Sequence, residues 1–531
     1  MLRRVQVDFK CKLPDFGGSL PVGRAFIRQV VLLLWLFSAV AGANAADSAA
    51  PKELIRYTVQ PGDTLYGIAK QYVISIDALR NLNGLRDGAQ LGVDTVLLVP
   101  PVDDTRYFQY EVKPGDSLYA LERLFGISQA ELMRLNSIAA ADLLRAGQII
   151  RVPYPPVAAP KPGFGFGIHV FVESGDANAL AEQAKQLGVN WVKIDVAWSQ
   201  IETERGRADY ADLDVLVSSL DAAGFRLLLN VYDAPNWSRA NYRAKMNSRL
   251  LSYGGPPADL NDFAAFLGQT VARYAGRVDA YEIWKAPNLL KYWNVPIYTQ
   301  PPKQSGDGDF GLPAAIALDT IHYVALLEMA YGTVKAHDAA AQVISAGLAP
   351  VGFTDNYNSI ATDIYLDALL AAGAADYVDG IGVIFSASAV PPTLGCCEQP
   401  PGVESHYESF LQNFGALMAH YAAILDKYEV NLPLLLTQMG WGTAEGANLA
   451  VPSTGYEWLN YTSQAEQALY VRQAYHLAQG MAALSAVFLY NLNGCAVGDA
   501  EACFFSLVDA QGARRPVFAA YEAVPKAASS Q

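Results

Sequence analysis

Histidine, acids, amides and aromatic residues gather where extended segments of the C-terminal two thirds of the chain come to an end. They are His169, Asp195, Trp198, Asp233, Trp237, Trp284, Lys285, Asn288, Gln438, Trp441, Tyr490, Asn491 and Asn493. Flat Trp and Tyr faces suit the C–H surfaces of a sugar ring, while Asn, Gln and Asp suit its hydroxyls, so these types together predict a sugar-binding cleft. Hydrolysing a glycosidic bond would ask for more, namely two carboxyl groups about 5–5.5 Å apart in a retaining enzyme. Asp195, Asp233, Glu445 and Glu457 could each reach such a cleft, but nothing in the sequence pairs two of them.

Two stretches carry the strongest pattern. Val278–Asn288 reads V-D-A-Y-E-I-W-K-A-P-N, an alternating strand broken at Pro287, and Leu434–Thr443 reads L-L-L-T-Q-M-G-W-G-T. The first resembles the fourth-strand motif of the clan A glycoside hydrolases, Y-E-I-W-N-E-P-N, in which the Glu after Asn is the general acid/base. The second resembles that family's seventh-strand T-E-x-G-W, whose Glu is the nucleophile. The resemblance implies a retaining hydrolase on a (β/α)8 barrel, but here Lys285, Ala286 and Gln438 stand at the Asn, acid and nucleophile positions. Alanine transfers no proton, and a neutral amide is a very poor nucleophile. A cation near an oxocarbenium-like centre costs about 3 kcal/mol at ~5 Å and an effective dielectric of ~20. Glu282 lies roughly 13 Å deeper along the strand than Ala286 and does not substitute. The expectation is a glycosidase-like barrel without family chemistry; a hydrolase with relocated carboxylates and a purely structural or protein-binding barrel are the other readings.

The elements that would position these residues alternate strand and helix eight times, as such an α/β barrel requires. Strands are expected at Phe164–Phe171, Val189–Val196, Phe225–Tyr232, Val278–Trp284, Gln342–Ala346, Val378–Phe385, Leu432–Gln438 and Ala486–Tyr490. Helices with i, i+3, i+4 apolar spacing lie between them, as at Asp259–Tyr274, Pro313–Ala336 and Ser463–Ala483. The barrel region is taken as 163–527, preceded by a Pro-rich linker over 155–162.

Before the linker, Tyr57–Leu65 returns as Tyr110–Leu118 at an offset of 53, and the same offset relates Asn83 to Asn136 and Val99-Pro100 to Val152-Pro153. Each unit reads as strand, P-G-D turn, helix capped by Thr64 or Ser117, second helix and closing strand. The pair is similar to the LysM module, a small βααβ fold that binds N-acetylglucosamine polymers such as peptidoglycan and chitin; its expected bounds are 55–101 and 108–154. The resemblance implies sugar-binding loops that include Gly62, Asp63, Thr64, Leu65 and Asn83 in the first unit. In the second they include Gly115, Asp116, Ser117, Leu118 and Asn136.

Composition is consistent with this division. Hydrophobic residues make up 52% and charged residues 17%, enough for a large core. A formal net charge of −14 argues against nucleic acid as a partner. Arg24 and Arg28 precede an apolar run, Val30–Ala43, and Ala43-Asn44-Ala45 is a small-x-small site, so residues 1–45 read as an export signal, with an uncleaved anchor as the other reading. A secreted or cell-envelope protein with no membrane contact after cleavage is expected; oligomeric state is not legible. Past the signal, Cys396, Cys397, Cys495 and Cys503 suit disulfides, and a Cys495–Cys503 staple is favoured, with Cys396–Cys397 bridged or reduced. No Cys/His spacing suggests a metal, and no cofactor is implied.

Overall fold

The structure is a computed structural model. It describes residues 55–526 apart from 60–63, 66–67, 70–75, 87–90, 100–106, 137, 141–143, 155–159, 173–175, 240–253, 295–311, 355–358, 387, 401, 448 and 452–455. Gly62, Asp63 and the expected signal segment lie outside the described residues. The chain divides into two compact units, one ending at Asp103 and the other spanning Asp104–Gln531.

In the first unit β1 (Ile55–Thr58) pairs antiparallel with β2 (Val96–Val99), and α1 (Ile76–Asn83) packs against them over Val59, Ile68, Leu79, Leu97 and Val99. The repeat at the start of the second unit has the same plan. There β3 (Tyr107–Glu111) and β4 (Ile149–Pro153) pair antiparallel, with α2 (Leu118–Phe125) and α3 (Gln129–Leu135) between them. Ser117 caps α2 by accepting from the Ala120 N–H, and Gly126 ends it in the left-handed region at φ 67°.

The rest of the second unit is a (β/α)8 barrel. Its strands are β5 (Gly165–Val170), β6 (Trp191–Ala197), β7 (Arg226–Tyr232), β8 (Ala280–Ile283), β9 (Gln342–Ser345), β10 (Ile381–Phe385), β11 (Leu434–Met439) and β12 (Leu484–Leu489). All pairings are parallel, and the order closes from β12 back to β5. Between β9 and β10 the ladder thins to isolated bridges at Ile344–Gly380 and Leu348–Val383. The backbones approach so closely there that a Cβ on Gly382 would meet the Ser345 carbonyl oxygen at 2.2 Å, which only glycine permits.

A helix follows each strand: α4 (Ala177–Gln186), α5 (Ala211–Ala222), α6 (Leu260–Tyr274), α7 (Leu312–His337), α8 (Thr362–Ala371), α9 (Phe414–Lys427), α10 (Gln464–Gly480) and α11 (Pro516–Glu522). Asp259 caps α6 by accepting from the Asn261 N–H, and Ser463 with Glu466 forms a capping box on α10.

Inward-facing positions stack in layers. Trp191, Leu228, Ala280, Ile344, Leu435, Ala486 and Phe488 fill the lower barrel. Above them lies a buried polar layer, where Glu282 accepts from Lys193 Nζ at 2.6 Å, Thr437 Oγ1 at 2.8 Å and the Gly347 N–H at 3.0 Å. Both oxygens of Glu282 are thus engaged by the barrel itself. The strand pattern that places it here leaves the next layer, at the C-terminal mouth, to His169, Asp195, Tyr232 and Tyr490.

Candidate functional site

At the C-terminal ends of the strands the barrel opens into a cleft of about 440 Å³. Its floor holds Lys285, Gln438 and Ser386; its walls are the rings of Phe171, Tyr232, Tyr292, Tyr456, Trp458, Tyr490 and Phe505; Lys291, Asp499 and Glu501 complete the lining.

Lys285 is fixed from behind. Its Nζ lies 2.9 Å from Asp195 Oδ2, and the rings of Tyr232 and Tyr292 flank it with centroids at 5.1 and 5.7 Å. Burial by itself would lower the Lys285 pKa, but the Asp195 carboxylate overrides it and holds the ammonium well above its ordinary value. Burial likewise works to raise the pKa of Asp195, and Lys285, then His169, more than reverse it, so the carboxylate is held well below the usual range. Behind Asp195, His169 Nε2 stands 3.3 Å from Oδ1 and its ring stacks on Tyr490 at 5.2 Å. Burial dominates for His169 and pushes its pKa down in spite of Asp195.

Of the residues expected in a sugar cleft, Lys285, Gln438 and Tyr490 line it. His169 is buried one layer behind. Ala286 is buried too, at φ 40°, with its N–H on the Gly347 carbonyl. Trp284 belongs to the outer packing: fully buried, it donates to the Tyr292 carbonyl and meets Phe263 and Trp293 edge-on. Trp441 is equally enclosed, donating to the Val390 carbonyl among Phe385, Phe414 and Tyr470. Asn288 clasps a loop through Ala349 and Ile360, and Asn491 clasps another through Ala502 and Gly494; both are buried and neither lines the cleft. Trp237 is half-buried beneath the Arg205 guanidinium, donating to the Glu202 carbonyl, away from the cleft lining.

Two of the acids within reach of the cleft are engaged in local structure. Asp233 accepts from the Ser199 hydroxyl and Glu445 from the Gln464 N–H. Sequence reasoning missed Tyr292, Tyr456, Trp458, Asp499, Glu501 and Phe505, which sit on loops or on helical segments of four residues, too short to show a period. Tyr232 and Phe171 carried a signal, since each continues its strand's every-second-residue set, as Tyr232 does after Leu228 and Asn230.

Cys495 and Cys503 are joined by a disulfide with Cα atoms 4.1 Å apart, stapling the loop that presents Asp499 and Glu501. Cys396 is exposed. Among the described residues no helix is long and apolar enough to cross a membrane, and no group of three or more His, Cys, Asp or Glu could hold a metal ion.

In the repeats, the turn and helix ends are mostly structural. Asn136 donates to the Leu132 and Arg151 carbonyls and accepts from the Arg151 N–H, and Asn83 does the same with Leu79 and Leu98. Asp116 takes the Tyr110 hydroxyl and the Lys113 N–H, both at 2.7 Å, and burial raises its pKa despite those bonds. Leu118 is core. Gly115, Ser117 and Thr64 remain exposed, and Leu65 is half-buried.

Residues 57–100 and 110–153 both match the LysM domain. The chain carries two LysM domains. LysM domains bind peptidoglycan- or chitin-like glycans, so this region is a glycan-binding one. Among curated proteins the chain is similar to the probable peptidoglycan endopeptidase LytE of Bacillus subtilis, 29% identical over 21% of this chain and 35% of that protein. It is also similar to an autolysin of Enterococcus faecalis, 29% identical over 18% and 14% respectively. The putative sporulation-specific glycosylase YdhD of B. subtilis is 31% identical over 18% and 21%. The chain thus spans about a third or less of these three relatives. Among solved structures, a family 39 glycoside hydrolase from Bacteroides cellulosilyticus WH2 aligns with a TM-score of 0.47 at 18% identity, covering 82% of this chain and 73% of that one. The spore cortex-lytic enzyme SleL of Bacillus cereus aligns with a TM-score of 0.39 at 12% identity, covering 89% and 98%.

Proposed function

We propose that this is an exported cell-envelope protein that is held on peptidoglycan or a similar N-acetylglucosamine polymer by its LysM domains, and that its barrel cleft binds glycan without hydrolysing it. The observation that carries the second half is the make-up of the cleft floor. Gln438 and Lys285 face the space, the buried Ala286 beside them carries no carboxyl, and an aromatic wall of Tyr232, Tyr292, Trp458 and Tyr490 surrounds them. Such a surface retains ground-state contacts with a sugar but offers nothing that strengthens in a glycosyl transition state. The names of the curated relatives, among them the cell wall-binding protein YocH of B. subtilis, support the first half.

One observation favours a hydrolase instead: Asp499 and Glu501 do line the cleft. Both are exposed at its rim. Asp499 is occupied in accepting from the Ala502 N–H, and Glu501 faces Lys291 at 3.8 Å.

Sedimentation of the full chain with insoluble peptidoglycan or chitin tests the tether, with the protein expected in the pellet. Gln438→Leu and Tyr490→Ala are expected to leave that partition intact while weakening binding of a soluble peptidoglycan tetrasaccharide. A chain that stays in the supernatant with both polymers contradicts the tether; unchanged tetrasaccharide affinity in both variants contradicts the cleft.

A further inference from the structure

The second LysM domain is built into the barrel. Its core residues, from Phe108 to Val152, run without interruption into the barrel's apolar cluster. The buried Gln473 of α10 donates to the Leu124 carbonyl at 3.2 Å, the Arg472 guanidinium covers the Tyr154 ring at 4.2 Å, and Arg123 meets Glu398 at 2.6 Å.

Lys113 makes the most connected of these contacts. It immediately precedes the Pro114-Gly115-Asp116-Ser117 turn, to which its own N–H is tied through Asp116. Its Nζ reaches 2.7 Å from Glu466 Oε1 and 3.1 Å from the Tyr461 carbonyl. Glu466 is 2% exposed, and its other oxygen accepts the N–H and hydroxyl of Ser463, so one carboxylate joins the LysM turn to the start of α10. Tyr461 closes the short helical segment Glu457–Asn460, whose beginning supplies Tyr456 and Trp458 to the cleft wall. At its two ends the Leu459 N–H bonds the Tyr456 carbonyl and the Tyr461 N–H the Trp458 carbonyl, while the Leu459 carbonyl accepts from the Ala444 N–H.

We propose that Lys113 is a positioning residue for the barrel cleft. Through Glu466 and the Tyr461 carbonyl, the second LysM domain fixes the 456–461 segment and with it the Tyr456 and Trp458 rings. The cleft is therefore complete only with this domain in place, and glycan binding there depends on a residue of the tether. The dependence on binding rests on the reading of the cleft as a glycan site; the positioning does not.

Hydrogen exchange on the full chain, with binding of a soluble tetrasaccharide of alternating N-acetylglucosamine and N-acetylmuramic acid, separates the two. In Lys113→Met, loss of the charge partner leaves Glu466 buried and unpaired, so the Leu459 and Tyr461 amides are expected to exchange about tenfold faster. The β3–β4 amides should stay protected, showing the domain folded, and Lys113→Arg should restore wild-type exchange. Tetrasaccharide affinity should fall in Lys113→Met as it does in Gln438→Leu. If Lys113→Met unfolds the domain, Glu466→Gln, which keeps the shape of the cap, is expected to give the same faster exchange at Leu459 and Tyr461. Unchanged exchange at those amides, in Lys113→Met with β3–β4 intact or otherwise in Glu466→Gln, overturns the proposal. Faster exchange with an affinity that neither Lys113→Met nor Gln438→Leu alters would uphold the positioning and reject only the glycan reading of the cleft.

Discussion

Lys285 Nζ and Asp195 Oδ2 lie 2.9 Å apart at the floor of the barrel cleft, both largely buried, so that what faces a ligand is one half of an ion pair already closed from behind. The pair explains why a lysine can stand in a cleft of aromatic rings. It also means that Asp195, the acid nearest the floor, is spoken for.

Removing one partner of a buried pair leaves an uncompensated charge. Lys285→Met alone is expected to destabilise the barrel by about 3–5 kcal/mol, and Lys285→Met with Asp195→Leu to recover most of that loss. Denaturant midpoints of the wild type, the single and the double variant check this. A double variant as unstable as the single would show that the pair is not the source of the loss.

The pH dependence of stability follows from His169. Its pKa is lowered by burial, so between the folded value and the unfolded ~6.5 the unfolded chain binds more protons than the folded one. Stability is therefore expected to fall as pH drops below ~6.5, and His169→Gln to remove part of that fall. If the ion pair with Asp195 dominated instead, acidification through this range would stabilise the wild type relative to His169→Gln.

Asn136 supplies a separate test of what the repeated residues do. Its amide bridges α3 to β4 through three hydrogen bonds, and Asn136→Ala is expected to cost about 2–4 kcal/mol of the second LysM domain's stability. Loss of protection in the β3–β4 ladder would show it. An intact ladder with lost polymer binding would make Asn136 a sugar ligand instead.

The Cys495–Cys503 bridge closes a loop of eight residues' separation, for which chain entropy gives about 2–3 kcal/mol. Replacing both with Ser should lower the unfolding midpoint accordingly and speed proteolysis in the 495–503 loop; an unchanged midpoint would assign the bridge no structural weight.

The contrast between Glu282 and Trp458 shows how far the sequence could be read. All eight strands fall within one to three residues of their expected limits, because inward and outward residues alternate and helices with capping residues such as Asp259 and Ser463 separate them. Glu282 was placed correctly as too deep, since rise per residue fixes depth. Trp458, Tyr456 and Phe505 were not legible, because loops after β11 and β12 carry no period and reach the cleft only through tertiary packing. Asn83 and Asn136 stand in the sugar-binding loops that the LysM resemblance implies; in the structure each amide also clasps the preceding helix to the closing strand. Trp284 and Trp441 read as platforms by type, yet the backbone turns Trp284, at φ 77°, into the helical layer.

The central claim is that this cleft holds glycan and does not cleave it. The most direct measurement is release of the chromophore from a panel of aryl glycosides by the wild type at pH 5–7, beside a variant carrying Lys285→Asn, Ala286→Glu and Gln438→Glu with Asp195→Asn to relieve the unpaired acid. No release above buffer is expected from the wild type, and slow release with retained anomeric configuration from the variant, because the two carboxylates act as a unit. Wild-type release well above buffer, lost on Glu501→Gln or Asp499→Asn, would contradict the account and place the chemistry at the rim of the cleft.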